Sequence, residues 1–413
     1  MNRLYVALSL FIRMSAGTAI SVLLARSLGP QNFGLATSVF AYASIAALVT
    51  SFGYEARTLR DIASAPQAGA STLVAALSVK FLLCAIVFLF GVPAVLMLPF
   101  GLASKVAIIM FGASTIIASI GDLVFYAFRA LGRFSTEARI AAWTSLIYVL
   151  VVGLITAYDQ NLLVVALAVL VSRIVYASAA LLGVRALIPN VAIERRSLRN
   201  LFGNMRSSVY WATDSALGFL HGQVDIFLVL HLIGLNALGV YQAGSRFAQS
   251  ALSISTILTN VHVPAVAAVC TERRVNRLEW QVYLEFTAVG AVLGMVLWFF
   301  GPAIVRVFLG RQFQAVDLLW PGFAVFVFLR YLAAAVGAVL IAFSAPRLRA
   351  AGQILSTAVV IFYFFHLRSI DITSVPWIMA IGSGVTALTY IVGRIALAYV
   401  RPAQMKSSKD IVV

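Results

Sequence analysis

Apolar residues in this chain come in long runs, each about the length of a membrane-spanning helix and each closed by a short cluster of Gly, Pro, Asn, Asp or Arg. A helix needs about 20 mostly apolar residues to cross a bilayer. Between the clusters the runs predict twelve helices: 4–28, 34–54, 74–98, 105–127, 137–157, 161–183, 207–233, 237–263, 281–308, 316–343, 351–368 and 375–398. Connections such as 29–33, 159–160 and 234–236 are too short to hold a soluble domain. Strands are not expected, because the runs are too long and lack the alternation of barrel strands. The first run is broken by Arg13 and continues past Leu28 without a small-residue cleavage pattern. It reads as a permanent span, not a cleaved signal.

Composition agrees with this reading. Of 413 residues, 62% are hydrophobic and 11% charged, and the mean hydropathy is +1.00. Soluble domains carry roughly 25% charged residues, so a soluble enzyme, a disordered chain and a disulfide scaffold are excluded. The net charge of +16 would suggest nucleic acid on a soluble domain. On a membrane protein it is better read as basic cytoplasmic loops. Counted over the twelve-span topology, nineteen Lys and Arg fall on the side of the termini and five on the other. Both termini are therefore expected in the cytoplasm. Cys84 and Cys270 have no metal or redox spacing and are expected to be packing residues.

A long basic loop over 184–206 divides the spans six and six, and the turns support a duplication. Gly29 and Gly34 flank the turn between spans one and two, and Gly234 and Gly239 flank that between spans seven and eight, both at an offset of 205. The first glycine of each pair suits a positive φ that ends a helix, and the second a close approach of helix ends. The expected organisation is a bundle over 1–183, a basic cytoplasmic linker over 184–206, a bundle over 207–398 and a cytoplasmic tail over 399–413. The fold class is thus an all-α polytopic membrane protein, its twelve transmembrane helices forming two parallel six-helix bundles around a central cavity. Gly290 with Gly294, and Gly218 with Gly222, have the spacing of helix-packing pairs.

Six basic residues fall inside spans. Lys80 and Arg394 lie close enough to the cytoplasmic interface to snorkel. Arg13, Arg173, Arg246 and Arg330 lie deeper, where insertion scales charge about 2.5–3.5 kcal/mol for a mid-bilayer arginine. They should face a wet cavity or pair with acids. A cationic cavity would take an anionic cargo, and the planar donor fork of Arg suits phosphate. The interior acids are read as Asp122, Asp214 and Asp225. Asp214, Gly218, His221 and Asp225 share one face of span seven. That stripe suits coupling to H+ or Na+; the alternative is that each acid neutralises a buried arginine. No G-x-x-x-x-G-K-[ST], H-E-x-x-H or cysteine cluster occurs. No ATP chemistry, metal or other cofactor is expected, and no enzyme activity.

The stretch Leu23–Leu35, with Ala25-Arg26-Ser27-Leu28-Gly29-Pro30 and Asn32-Phe33-Gly34, followed by Ser51-Phe52-Gly53-Tyr54-Glu55-Ala56 and the charged run 57–63, resembles the amino-terminal signature of polysaccharide biosynthesis exporters. Asp225, Gly234, Gly239, Tyr241, Arg246 and Pro264 are similar to that family's seventh and eighth spans. These are the Wzx-type flippases, in a superfamily shared with multidrug and toxin extruders. The resemblance implies flipping of an undecaprenyl-pyrophosphate-linked oligosaccharide from the cytoplasmic to the periplasmic leaflet of a bacterial inner membrane, driven by an ion gradient. It serves lipopolysaccharide or exopolysaccharide assembly. Lipid-linked oligosaccharide and membrane lipids are the expected partners, with a polysaccharide polymerase and chain-length machinery as further candidates and no nucleic acid. Arg13, Arg173, Arg246 and Arg330 are the candidate cargo ligands; Asp122, Asp214, His221 and Asp225 are the candidate coupling residues. Rival readings are a drug or toxin extruder, which would want an acidic cavity, a membrane-embedded glycosyltransferase or polymerase, which would want a large catalytic loop, and a non-transporting assembly partner.

Overall fold

A computed structural model describes residues 2–64, 69–99, 101–159, 161–187, 216, 219–268, 275–343, 345–366 and 371–409. Asp214, Gly218, Cys270 and the basic loop therefore lie outside the described residues, except for the loop's first four positions. Helices run in the order α1 (Asn2–Ser51), α2 (Tyr54–Ser64), α3 (Gly69–Leu96), α4 (Leu102–Ala130), α5 (Phe134–Tyr158), α6 (Leu162–Leu187), α7 (Phe219–Leu232), α8 (Leu235–Ala268), α9 (Val275–Ile304), α10 (Trp320–Ala342), α11 (Pro346–His366) and α12 (Val375–Lys409). Among the described residues there is no strand, and nine helices are long and apolar enough to cross a membrane. One of these nine, Ile12–Ser51, contains two of the expected spans. The all-α, twelve-helix, multi-pass reading stands.

The two spans of α1 are separated at Gly29, whose φ of 71° and ψ of 172° leave the helical path. Pro30 follows, and at the first position of a helix its missing N–H costs nothing. Gly234 has the corresponding place before α8, with φ 112°. Such backbone is strained for any residue with a Cβ.

One element was not expected. The charged run after span two forms α2, entered through Phe52 and Gly53 with φ of 42° and 70°. Its pattern is amphipathic: Tyr54, Thr58 and Ile62 are buried, while Arg57 donates to Asp61 at 3.1 Å on the polar side. Charges at Arg57, Arg60 and Asp61 hide this helical period when only long apolar runs are sought.

The chain forms two compact units. The first comprises Met1–Phe219 with Leu235–Gln242. In it α1 packs on α4 and α5, and α4 on α6. Ile62, Leu73, Phe125, Phe128, Tyr176 and Val184 belong to one buried cluster. The second unit comprises Leu220–Gly234 with Ala243–Val413, and α10 packs there on α9 and α12. Gly290 and Gly294 let α9 approach α10 closely: a Cβ would lie 2.5 Å from Tyr331 Cβ at the first and 3.0 Å from the Ala324 carbonyl oxygen at the second. Gly222 differs, since a Cβ there would meet nothing within 4 Å. Among the described residues it thus makes no close packing contact, and its partner Gly218 lies outside them. Large apolar side chains such as Leu89, Phe90, Phe299, Phe300 and Phe365 are exposed. A surface of that kind suits lipid, not water.

Candidate functional site

The first unit holds a cavity of about 440 Å³ among α1, α4, α5 and α6, within the roughly 300–1,000 Å³ common for small-molecule sites. Arg13, Asp122, Arg129, Tyr126, Tyr148, Ser172, Arg173 and Tyr176 line it, with Glu55 from α2. Three of these are arginines and two are acids, so the lining is cationic by one charge.

Two of the arginines are neutralised. The Arg13 guanidinium donates to the Asp122 carboxylate, which also accepts from the Tyr176 hydroxyl at 2.9 Å. Arg13 further lies over the rings of Phe125 and Tyr176, at 5.2 and 5.5 Å. Arg129 binds Glu137 through Nε and Nη2, at 3.0 and 2.7 Å to Oε1. Arg173 differs from both. It stacks over Tyr148 with Cζ 4.2 Å from the ring centroid, and has no carboxylate within ion-pairing distance among the described residues.

Beside the cavity, Lys80 is fully buried. Its Nζ donates to Ser51 Oγ at 2.8 Å and lies 3.9 Å from Glu55. The expectation that Lys80 snorkels is thus overturned: the side chain is enclosed by protein, and its own unit supplies both a hydroxyl and a carboxylate to the ammonium. Arg394 is likewise held by protein, donating to Glu279 at 2.6 and 3.2 Å. Burial pushes the Glu55 carboxyl above the usual carboxylate range, with Lys80 opposing the shift. Counting only Asp122, Asp214 and Asp225 as interior acids also missed Glu137 and Glu279, which are buried. Both lie within a turn or so of a helix start, where a sequence reading assigns charge to the interface.

In the second unit His221 of α7 meets Arg330 of α10, with Nε2 2.6 Å from Arg330 Nη1. Its Nδ1 lies 3.1 Å from Thr357 Oγ1 on α11. Asp225 is buried one turn further along α7, and Arg246 is half-buried on α8. The structure therefore joins Arg13 with Asp122 around one cavity that also takes Arg173, and joins Arg330 with His221. Thr357, Tyr148 and Tyr176 were not singled out from sequence, since a lone Thr or Tyr in a span carries no motif.

Gly34 and Gly239 make a reciprocal contact inside the first unit. A Cβ on Gly34 would fall on the Leu235 carbonyl oxygen, and one on Gly239 on the Pro30 carbonyl oxygen. Pro30 and Leu235 are themselves separated by the same 205 residues as the two glycines.

Comparison with known proteins adds the family. The family described as polysaccharide biosynthesis protein matches residues 1–269. No curated protein matches the chain. Among solved structures, one described as an inward-facing multidrug resistance MATE family transporter of the MOP superfamily is similar at a TM-score of 0.78 and 15% identity, covering 94% of this chain and 96% of that one. An outward-facing MATE family transporter gives 0.68 at 16%, covering 96% of each chain. A MOP superfamily transporter from Pyrococcus furiosus, described as having a binding pocket of reversed polarity that suggests a different function, gives 0.69 at 15%. It covers 96% of this chain and 95% of that one. At such identities these structures speak for the fold alone, whereas the family match spans well over half of the sequence: the chain belongs to the polysaccharide biosynthesis protein family.

Proposed function

We propose that this protein is a transporter that flips an undecaprenyl-pyrophosphate-linked oligosaccharide across the bacterial cytoplasmic membrane for lipopolysaccharide or exopolysaccharide assembly. The observation that carries the reading is the cavity of the first unit, where Arg173 stands without a carboxylate partner among the described residues, next to Tyr148, Ser172, Thr144 and Ser145. A guanidinium on an aromatic ring beside hydroxyls can hold a phosphate oxygen and a sugar together. In this reading both termini are cytoplasmic, the arginines Arg13, Arg173, Arg246 and Arg330 serve the anionic head, and Asp122, Asp214, His221 and Asp225 couple the cycle to H+ or Na+. A polymerase and chain-length machinery would receive the product.

The MATE relatives favour a second reading, extrusion of drugs or toxins. The cationic surplus of the cavity speaks against a cationic drug, and a reversed pocket polarity accompanies a suggested change of function in the Pyrococcus furiosus relative. The test is made in cells lacking the gene, with a sugar-binding reagent applied from outside. Precursor that accumulates on the inner leaflet, and reaches the outer leaflet when the gene is restored, supports the flippase. Precursor exposed normally without the gene overturns it, and a drug-accumulation assay then tests the rival.

A further inference from the structure

The His221–Arg330 contact has a chemistry that fixes its own protonation. A guanidinium has only donors, so at 2.6 Å the His221 Nε2 must accept. The ring is therefore neutral, with its hydrogen on Nδ1. That hydrogen points to Thr357 Oγ1 at 3.1 Å, and the Thr357 hydroxyl in turn donates to the Gln353 carbonyl at 2.8 Å. Donors thus run in one direction, from Arg330 through His221 and Thr357 to the α11 backbone. Both His221 and Arg330 are half-buried rather than sealed.

The charges around this relay are few. Arg330 comes from α10, Thr357 and Gln353 from α11, and Tyr390 of α12 stands near Arg330 with its hydroxyl donated to the Arg349 carbonyl at 3.3 Å. On α7 itself Asp225 lies four residues on. No carboxylate among the described residues is within ion-pairing distance of His221 or Arg330, unlike Arg13, Arg129 and Arg394.

We propose that His221 and Arg330 form a proton-gated oxyanion site. One proton taken from solvent onto Nε2 turns an acceptor into a donor that faces another donor. The contact opens, and imidazolium and guanidinium are left side by side to hold a doubly charged phosphate- or sulfate-like group. Thr357 is a positioning residue, accepting from Nδ1 so that Nε2 faces Arg330. Linkage is reciprocal: proton uptake strengthens anion binding, and the bound anion raises proton uptake by the same factor. The assignment of that anion to cargo rests on the flippase reading, but the site itself does not.

The test uses the purified full chain in lipid nanodiscs and sulfate, whose charge is constant between pH 8 and 5.5. Calorimetric affinity is expected to rise at least about tenfold as pH falls over that range. His221→Gln, which accepts from Arg330 but takes no proton, should bind without pH dependence, and Arg330→Gln should abolish binding. Thr357→Val should move the midpoint to lower pH, and Thr357→Ser should restore it. In the wild type, titration in two buffers of different ionisation heat should give close to one proton per sulfate. A pH-independent wild type, retained pH dependence in His221→Gln, unaltered binding in Arg330→Gln, or no proton uptake overturns the proposal. Competition separates the sources of the anion. Displacement by undecaprenyl pyrophosphate alone identifies a lipid headgroup, and displacement by inorganic pyrophosphate as well a free phosphate; displacement by neither overturns the phosphate assignment. Proton-linked sulfate binding in a protein that flips no precursor would remove the flippase reading and leave this site standing.

Discussion

Spans one and four of the first repeat and spans seven and ten of the second occupy equivalent places in the chain, yet they are joined by different chemistry. In the first unit α1 gives Arg13 and α4 gives Asp122, an ion pair completed by the Tyr176 hydroxyl. In the second, α7 gives His221 and α10 gives Arg330, a neutral base on a cation. A carboxylate keeps its arginine charged and held over the whole physiological pH range. An imidazole holds its arginine only while it is unprotonated. Equivalent spans thus give one permanent tie and one conditional tie, with the arginine on the earlier span in the first pair and on the later span in the second.

The largest effect is expected where the repeats are most alike. Gly34→Ala or Gly239→Ala puts a Cβ onto a backbone carbonyl that cannot rotate away. Either change is expected to cut the yield of folded protein at least about fivefold in detergent-extracted membranes, while Gly222→Ala, which meets nothing within 4 Å among the described residues, should leave yield unchanged. Next comes the permanent tie. Asp122→Asn leaves Arg13 without its counter-charge, and export should fall at least about tenfold. The exchange Arg13→Asp with Asp122→Arg, measured in the same assay, should recover part of that loss. The third change makes the repeats chemically alike. His221→Asp gives Arg330 the partner that Arg13 has, and is expected to flatten the pH profile of transport in proteoliposomes while altering the rate at pH 8 by only a few-fold. A profile that kept its shape would show that the imidazole is not what separates the two units. The smallest effect belongs to Tyr176→Phe, which removes one hydrogen bond to Asp122 and should cost about 0.5–1.5 kcal/mol in thermal unfolding.

Much of the architecture was legible because lipid enforces long apolar runs, and because Gly29 and Gly234 repeat at half the chain length. The partners of the interior charges were not. Arg13 and Asp122 stand out singly as costly residues in a span, but 109 positions separate them, and nothing in either local sequence names the other. Lys80 was assigned to the interface by its depth in the span, since the helix that brings Glu55 toward it, α2, is short and charged. The cavity was legible only as a requirement that deep arginines avoid lipid; that Arg173, with no carboxylate in ion-pairing distance among the described residues, would rest on Tyr148 depends on how α5 meets α6.

The reciprocal glycine contact bears on how two halves with matching turns, if they arose by duplication, can diverge. After a duplication the two copies ordinarily drift apart, each answering to its own surroundings. Here a side chain gained by one turn would strike the backbone of the other, so each copy is the steric surroundings of its twin. Neither glycine can be replaced until the opposite turn has moved, and the opposite turn cannot move without disturbing the first. The closest likeness between the two halves is thus expected where the turns touch, and divergence is free to accumulate where they do not, as between the Arg13–Asp122 and His221–Arg330 contacts.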